Sequence, residues 1–245
     1  MKDANTIGGG TPTTPLPEPP PTVRVLLPAR EGEFSIREIN YGGKSLGREL
    51  LETILVTLLI FLAVQAVVQN RRVEGESMIP TLHNEEYLLI DKLSYMRWDN
   101  TIFAQFVPAP TDGRPRYILG HGPQRGDIIV LHPPVDTRDY IKRIVGLEGE
   151  SIEIKHDDGV YINGVKLDEP YVEATPDYDF GPYTVPAGQV FVLGDNRRNS
   201  SDSHIWKQAL DIDQIVGKAW VAYWPREMWG LVPHPSYAQM NPTGP

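Results

Sequence analysis

The apolar residues are concentrated in one unbroken run near the N-terminus. Residues 50–69 are mostly Leu, Ile, Val and Phe, and no charged residue lies between Thr53 and Val68. About 20 such residues in a helix cross a hydrocarbon core of roughly 30 Å. Glu52 can extend its carboxylate to one interface, and two arginines follow the run at the other. We therefore predict a transmembrane helix over residues 50–70; a buried soluble helix and a cleaved signal peptide are the alternatives.

Beyond Val73 the pattern changes to short β-rich runs bounded by Gly, Pro and Asp. Such runs predict strands, here over residues 87–90, 127–131, 140–145, 189–193 and 217–224. Residues 151–167 read as three strands joined by two tight turns, at Asp158-Gly159 and Asn163-Gly164. A short helix is expected over Ser203–Leu210. These elements predict a mainly β fold: an antiparallel sheet with a β-barrel-type core, over residues 71–230, behind one N-terminal transmembrane helix.

The remaining segments are rich in residues that do not favour regular structure. Seven of the first thirty residues are proline, and such a segment buries too little apolar surface to offset its ordering entropy. We expect residues 1–49 to be a disordered, Pro-rich tail, with a Pro-rich docking motif as the alternative. Residues 99–124 are expected to be a long insertion loop, and residues 231–245 a loose C-terminal tail.

Composition narrows the class of protein. The chain has 245 residues, of which 40% are hydrophobic and 22% charged, as in a folded domain. Its 32 acidic and 23 basic residues give a net charge of −9, which argues against binding nucleic acid. The absence of cysteine excludes disulfides, thiolate zinc sites and cysteine nucleophiles. None of the six histidines forms a metal-spaced pair, and we expect no metal and no cofactor.

Two residues are candidates for nucleophilic catalysis. Ser77 lies in a short connection between apolar stretches, and a serine needs a neighbouring base to act as a nucleophile. In a strand, Tyr140, Lys142 and Ile144 share one face because side chains alternate. Burial there would favour the neutral amine of Lys142, which can accept a proton. Arg143 points to the opposite face and is expected to brace the structure.

Five segments stand in a recognisable order behind the apolar run. They are VEGESMIPTL (73–82), YLLIDKLSY (87–95), RGDIIVLHPP (125–134), YIKRIVGLEGE (140–150) and GDNRRNSSDS (194–203). This combination resembles bacterial type I signal peptidase, a membrane-anchored serine protease that removes signal peptides. The resemblance extends from about residue 50 to about residue 225.

The resemblance implies roles for individual residues. Ser77 would be the nucleophile and Lys142 the general base, with Ser200 orienting the Lys142 amine. Asp202 would form a structural ion pair, but the family's basic partner two residues later is replaced here by His204. Arg125 is an alternative partner for Asp202. The small pockets that receive the substrate are expected to involve four residues: Met78, Ile79, Tyr140 and Ile144.

The resemblance also implies a setting and partners. The substrates would be secretory preproteins with small-x-small cleavage sites, and the lipid bilayer would be the second partner. The protein would cross the cell membrane once, with its catalytic domain on the extracytoplasmic side. The count of basic residues, three before the span and two after it, weakly favours a cytoplasmic N-terminus. Tryptophan favours the lipid interface, and Trp220, Trp224 and Trp229 are candidates for it, with the core as the alternative for Trp220 and Trp224.

Two other functions remain open from the sequence. The first is the self-cleaving Ser-Lys domain of SOS-type repressors, which would need a DNA-binding helical region where this chain has a Pro-rich tail and an apolar run. The second is a membrane-tethered β domain that binds exported proteins without catalysis. Such a domain would not need Ser77 and Lys142 to be paired.

Overall fold

The computed structural model describes residues 22–28, 34–40, 46–97, 117, 121–235 and 237. Its first elements are strands β1 (Thr22–Pro28) and β2 (Phe34–Asn40), which pair antiparallel. Both segments alternate apolar and polar residues over part of their length, the pattern that favours a strand. The structure therefore differs from the expected irregular tail at these two segments. Most of the predicted 99–124 loop lies outside the described residues.

One long apolar helix follows. Helix α1 spans Leu46–Val67, and none of its 22 residues is buried by the rest of the chain. At 1.5 Å per residue its length is about 33 Å, enough to cross a hydrocarbon core. Its most apolar window has a mean hydropathy of 2.4. The helix is displaced toward the N-terminus from the predicted 50–70, because Val68–Arg72 form a strand instead.

The rest of the described chain is mainly β. After α1 the strands are β3 (Val68–Arg72), β4 (Tyr87–Asp91), β5 (Ile128–Leu131), β6 (Tyr140–Gly146), β7 (Ser151–Lys155), β8 (Gly159–Ile162), β9 (Val165–Lys166), β10 (Phe180–Thr184), β11 (Gln189–Leu193), β12 (Leu210–Asp211), β13 (Ile215–Trp224) and β14 (Gly230–Leu231). A short helix α2 spans Ser203–Trp206, and single 3₁₀ turns occur at Leu93–Tyr95, Ile212–Gln214 and Arg226–Met228.

Two antiparallel sheets organise these strands. The large sheet has the order β12-β11-β6-β5-β13-β4-β3, with β14 added beside β13. A smaller sheet has the order β10-β7-β8-β9. The prediction of a mainly β, antiparallel fold behind one apolar helix is confirmed. The order from β12 to β3 is an open path, so the large sheet is not a closed barrel.

Three groups of buried apolar side chains hold the β domain together. One lies around β4 and β5 and includes Met78 and Leu82. A second is built on the smaller sheet, and a third includes Ile144 and Trp206. Met78 thus anchors the loop after β3 next to Ser77, and Ile144 anchors strand β6 two residues from Lys142.

The C-terminal segment also contributes to the core. The sequence predicted a loose tail from residue 231, but β14 pairs with β13 and Val232 is buried in the first apolar group. The structure differs from the prediction here because a two-residue strand and an isolated valine carry no periodic signal.

Candidate active site

Ser77 lies in a turn that joins β3 to β4. Gly75 precedes it with a φ of +98°, a conformation that favours glycine. The Ser77 carbonyl accepts a hydrogen bond from the Asn196 backbone N–H at 3.0 Å. The next residue, Met78, is 1% exposed and anchors the turn in the core. The Ser77 side chain itself is half-buried, so its position is fixed while its hydroxyl faces a cleft.

Lys142 reaches Ser77 from strand β6. Its Nζ lies 2.8 Å from Ser77 Oγ and 2.8 Å from the Ile141 carbonyl oxygen, to which it donates a hydrogen bond. The Tyr140 ring flanks the amine, with its centroid 5.2 Å from Nζ. Ser77 and Lys142 are separated by 65 positions in the sequence. The sheet therefore creates a contact that neither segment contains by itself.

Burial changes the proton affinity of this amine. Lys142 is 3% exposed, and desolvation lowers its pKa from 10.5 to about 8. The negative charges of Asp202 and Asp195 oppose the shift but do not cancel it. A substantial fraction of the protein consequently carries a neutral Lys142 at mildly alkaline pH, and a neutral amine can accept the hydroxyl proton of Ser77.

Arg143 points to the other side of β6, as its position in the strand predicted. It is fully buried and donates two hydrogen bonds to the Asp195 carboxylate, at 2.8 and 2.7 Å. The Thr81 hydroxyl donates to the same carboxylate at 2.6 Å. This network connects β6, the loop that follows β11 and the turn that carries Ser77.

Ser200 lies beside the site without a hydrogen bond. Its Oγ is buried and has no partner among the described residues. The hydrogen bond to Lys142 that the resemblance implied is therefore not formed in this structure. Gly194 is adjacent: a β-carbon there would collide with Ser200 Oγ and with the Ser77 carbonyl oxygen. This close approach explains why residue 194 is a glycine, a requirement that the sequence alone did not indicate.

Asp202 is paired with histidine. Its carboxylate lies 2.5 Å from His204 Nδ1 and accepts a hydrogen bond from the Gly194 N–H at 2.9 Å. Tyr178 stacks on the His204 ring, with centroids 3.8 Å apart. The alternative partner, Arg125, is instead bound to Glu150 at 2.5 Å. The suggestion that Arg125 pairs with Asp202 is wrong, because Arg125 is buried beside a different carboxylate.

A cleft of about 550 Å³ opens at the Ser77–Lys142 pair. Of the four expected pocket residues, Met78 and Tyr140 line it. Ile79 does not line it, and Ile144 is fully buried in the core. Ile144, two residues beyond Lys142 in β6, therefore packs in the interior and not at the surface of this cleft. Ser201 also lines the cleft and was not predicted.

The described residues contain no cluster of three or more His, Asp or Glu side chains placed to hold a metal ion.

Comparison of the sequence with known proteins shows the family to which the chain is similar. The family model described as signal peptidase, peptidase S26, matches residues 47–224. A signal peptidase I of Leptolyngbya laminosa is 37% identical over 199 residues, which cover 77% of this chain and 86% of that protein. Signal peptidase I U of Bacillus subtilis is 33% identical over 188 residues, which cover 72% of this chain and 86% of that protein.

A crystal structure of a signal peptidase I from Enterococcus faecalis is 37% identical in sequence, with a TM-score of 0.35, over 40% of this chain and 97% of the other. The region matched by the family model contains helix α1 except its first residue, and both members of the Ser77–Lys142 pair. The chain therefore belongs to the signal peptidase family, peptidase S26, and is an enzyme that cleaves signal peptides as a serine protease.

Proposed function

We propose that this protein is a membrane-anchored endopeptidase that cleaves secretory preproteins with Ser77 as nucleophile and Lys142 as general base. The observation that carries the proposal is the 2.8 Å contact between Ser77 Oγ and a buried Lys142 Nζ. A lysine can act as a base only in its neutral form, and burial favours that form. Family membership supports the substrate class.

The contacts support a two-step hydrolysis. The neutral Lys142 amine takes the Ser77 hydroxyl proton while Oγ attacks the scissile carbonyl carbon. The tetrahedral intermediate then expels the new amino terminus of the mature protein, which receives the proton from the Lys142 ammonium. A water molecule gives its proton to Lys142 and attacks the ester on Ser77. The signal peptide leaves with a free carboxyl group, and Ser77 recovers its hydrogen.

The oxyanion requires a hydrogen-bond donor close to the nucleophile. The backbone N–H of Ser77 is the natural donor because it belongs to the attacking residue. The turn that holds it is fixed at two points: Gly75 N–H donates to the Asn84 side chain at 2.9 Å, and Asn196 holds the Ser77 carbonyl. A preorganised donor of this kind is worth about 3–4 kcal/mol of transition-state stabilisation.

Strand β6 offers the substrate a free edge. Strand β5 pairs with β6 along Tyr140–Arg143, whereas β11 pairs with β6 only from Arg143 to Gly146. At Tyr140–Lys142, the side of β6 that faces away from β5 is therefore not paired with β11. The same three residues line the cleft. An extended peptide could add to this edge and place its scissile bond at Ser77. Small side chains before the cut suit a shallow cleft.

Helix α1 and an exposed aromatic surface support attachment to the bilayer. The helix is long and apolar enough to span a membrane. Trp220, Trp224 and Trp229 are each more than half exposed, and so is Leu231. Tryptophan favours the boundary between lipid and water. We assign the tryptophans to the interface and the catalytic domain to the extracytoplasmic side, where translocated signal peptides emerge.

A fluorogenic peptide with Ala-x-Ala before the cut tests the proposal. The wild-type enzyme should cleave it after the second alanine, and Ser77→Ala should abolish turnover. Ser151→Ala, on a strand outside the cleft, is the matched control and should retain full activity. Unchanged turnover in Ser77→Ala would exclude Ser77 as nucleophile. The absence of turnover in the wild type would contradict the proposed preference for small residues before the cut.

A further inference from the structure

We propose that the C-terminal segment, residues 232–235 with Tyr237, is a positioning element of the active site. The inference rests on the proposed function, because it concerns how the Ser77–Lys142 pair is held. The segment lies beyond residues 47–224, the region that matches the family model. It packs against the buried network around Arg143, which adjoins the catalytic lysine in β6.

The segment is bound to the large sheet by its backbone and by a histidine. Val232 is 4% exposed and packs in the same apolar group as Met78, the residue after the nucleophile. His234 Nδ1 accepts a hydrogen bond from the Ile128 N–H at 3.3 Å, and its Nε2 lies 2.9 Å from the Ala219 carbonyl oxygen. These two contacts require the neutral tautomer with hydrogen on Nε2, and burial lowers the pKa of His234 in the direction that favours it. One side chain thus bridges β5 and β13.

The segment also covers the Arg143 guanidinium. The Pro233 carbonyl lies 3.4 Å from Arg143 Nη1, which also donates to the Gly126 carbonyl at 2.8 Å. Tyr171 packs its ring against the guanidinium at 3.9 Å, and the Tyr237 hydroxyl donates to the Tyr171 hydroxyl at 3.2 Å. The segment therefore helps to keep a fully buried cation dry and in place.

The backbone of the C-terminal segment passes very close to the turn at Gly126, which precedes β5. Gly126 has a φ of +93°, and a β-carbon there would collide with the Pro235 carbonyl oxygen. Glycine is needed because the C-terminal backbone passes directly over this turn. Two segments separated by about a hundred residues are therefore fitted to each other.

From Arg143 the network leads to the nucleophile. The Arg143–Asp195 pair fixes the loop after β11, and Thr81 attaches the nucleophile's turn to the same carboxylate. Asn196, next to Asp195, holds the Ser77 carbonyl at 3.0 Å. Loss of the C-terminal contacts would let this network shift. A misplacement of about 1 Å can lower the rate by about 100-fold.

The full-length enzyme with His234→Ala tests the proposal on the Ala-x-Ala peptide. We expect kcat to fall at least about 10-fold with KM changed less than about 2-fold, the pattern of a lost positioning effect. Loosening should also admit water to Lys142 and raise its pKa, so the limb on which the rate rises with pH should move to higher pH by about half a unit. His234→Gln keeps a donor for Ala219 and should recover most of the activity. Exposed His156→Ala is the matched control and should behave as wild type.

A second variant addresses folding. Tyr237→Phe removes one hydroxyl at the rim of the network and should lower kcat about 3-fold, which corresponds to one weak hydrogen bond. Wild-type kcat and pH profile in both His234→Ala and Tyr237→Phe would overturn the inference. So would a loss of activity that only matches the fraction of unfolded protein, measured by near-UV circular dichroism. If Ser77→Ala were still active, the proposed function would fail instead, so the two failures are distinguishable.

Discussion

Burial of the Lys142 amine should make the stability of this enzyme depend on pH in a way that Lys142→Met removes. The pKa of Lys142 is about 8 in the folded enzyme and has its ordinary value of 10.5 in the unfolded chain. Below pH 8 both states hold the proton, so the cost of burying the charge is fully present. Between these values the unfolded state binds more protons, and stability rises with pH.

The size of the effect follows from the shift. Each pKa unit corresponds to about 1.36 kcal/mol, so the shift corresponds to about 3 kcal/mol. Little discount for solvent is needed because Lys142 is 3% exposed. The free energy of unfolding of Lys142→Met minus that of the wild type should therefore fall by about 3 kcal/mol between about pH 7 and about pH 10.5. Titrations that both proteins share cancel in this difference.

Urea unfolding in detergent micelles, followed by tryptophan fluorescence, measures this difference at the two pH values. Lys155→Met is the matched control, since Lys155 also lies on a strand but its side chain is 43% exposed. Its difference from the wild type should be nearly constant with pH. A Lys142→Met difference that is equally constant would refute the argument that desolvation lowers the Lys142 pKa.

Three further predictions follow from the site and its setting. Ser200→Ala should raise the thermal unfolding temperature, because it removes a buried hydroxyl without a partner. If this hydroxyl contacts Lys142 during turnover, the same variant should lower kcat for peptide cleavage at least about 10-fold. Wild-type kcat would leave Ser200 without a catalytic role. His204→Arg places a permanent positive charge beside Asp202, whose negative charge raises the Lys142 pKa. The limb on which the rate rises with pH should therefore move to lower pH by about half a unit, and a shift to higher pH would contradict this. A chain beginning at Val73 should cleave the soluble peptide as the full-length enzyme does. Its kcat/KM on preproteins in liposomes should be lower than that of the full-length enzyme, because tethering to the membrane raises the local concentration. Equal kcat/KM of the two proteins in liposomes would contradict a role for helix α1 as an anchor.

The sequence predicted the elements with strong local patterns. The segments that form α1, β4, β5 and β11 were assigned correctly because each is a nearly continuous run of apolar residues bounded by polar or turn residues. Strand β10 was missed because it contains Pro182 and pairs irregularly with β7.

At the site, the motifs predicted that Ser77 and Lys142 act as a pair, and the two side chains are in contact. The strand period correctly placed Arg143 on the opposite face. What the sequence could not supply was the contact between distant segments. Nothing local to His234 indicates that it bridges two strands, and nothing local to Ser200 indicates that its hydroxyl lacks a partner. Such features depend on tertiary packing, which a single sequence does not display.

The pH dependence of kcat/KM is the measurement that decides whether Lys142 is the base, because it reports the proton equilibrium of the free enzyme's catalytic base. With the Ala-x-Ala peptide, we expect kcat/KM to rise with pH along one limb whose midpoint lies near the Lys142 pKa of about 8. Below that midpoint Lys142 holds a proton and cannot activate Ser77. A limb centred near 6.5, the ordinary value for histidine, or a rate independent of pH through this range, would contradict the assignment of Lys142 as the base.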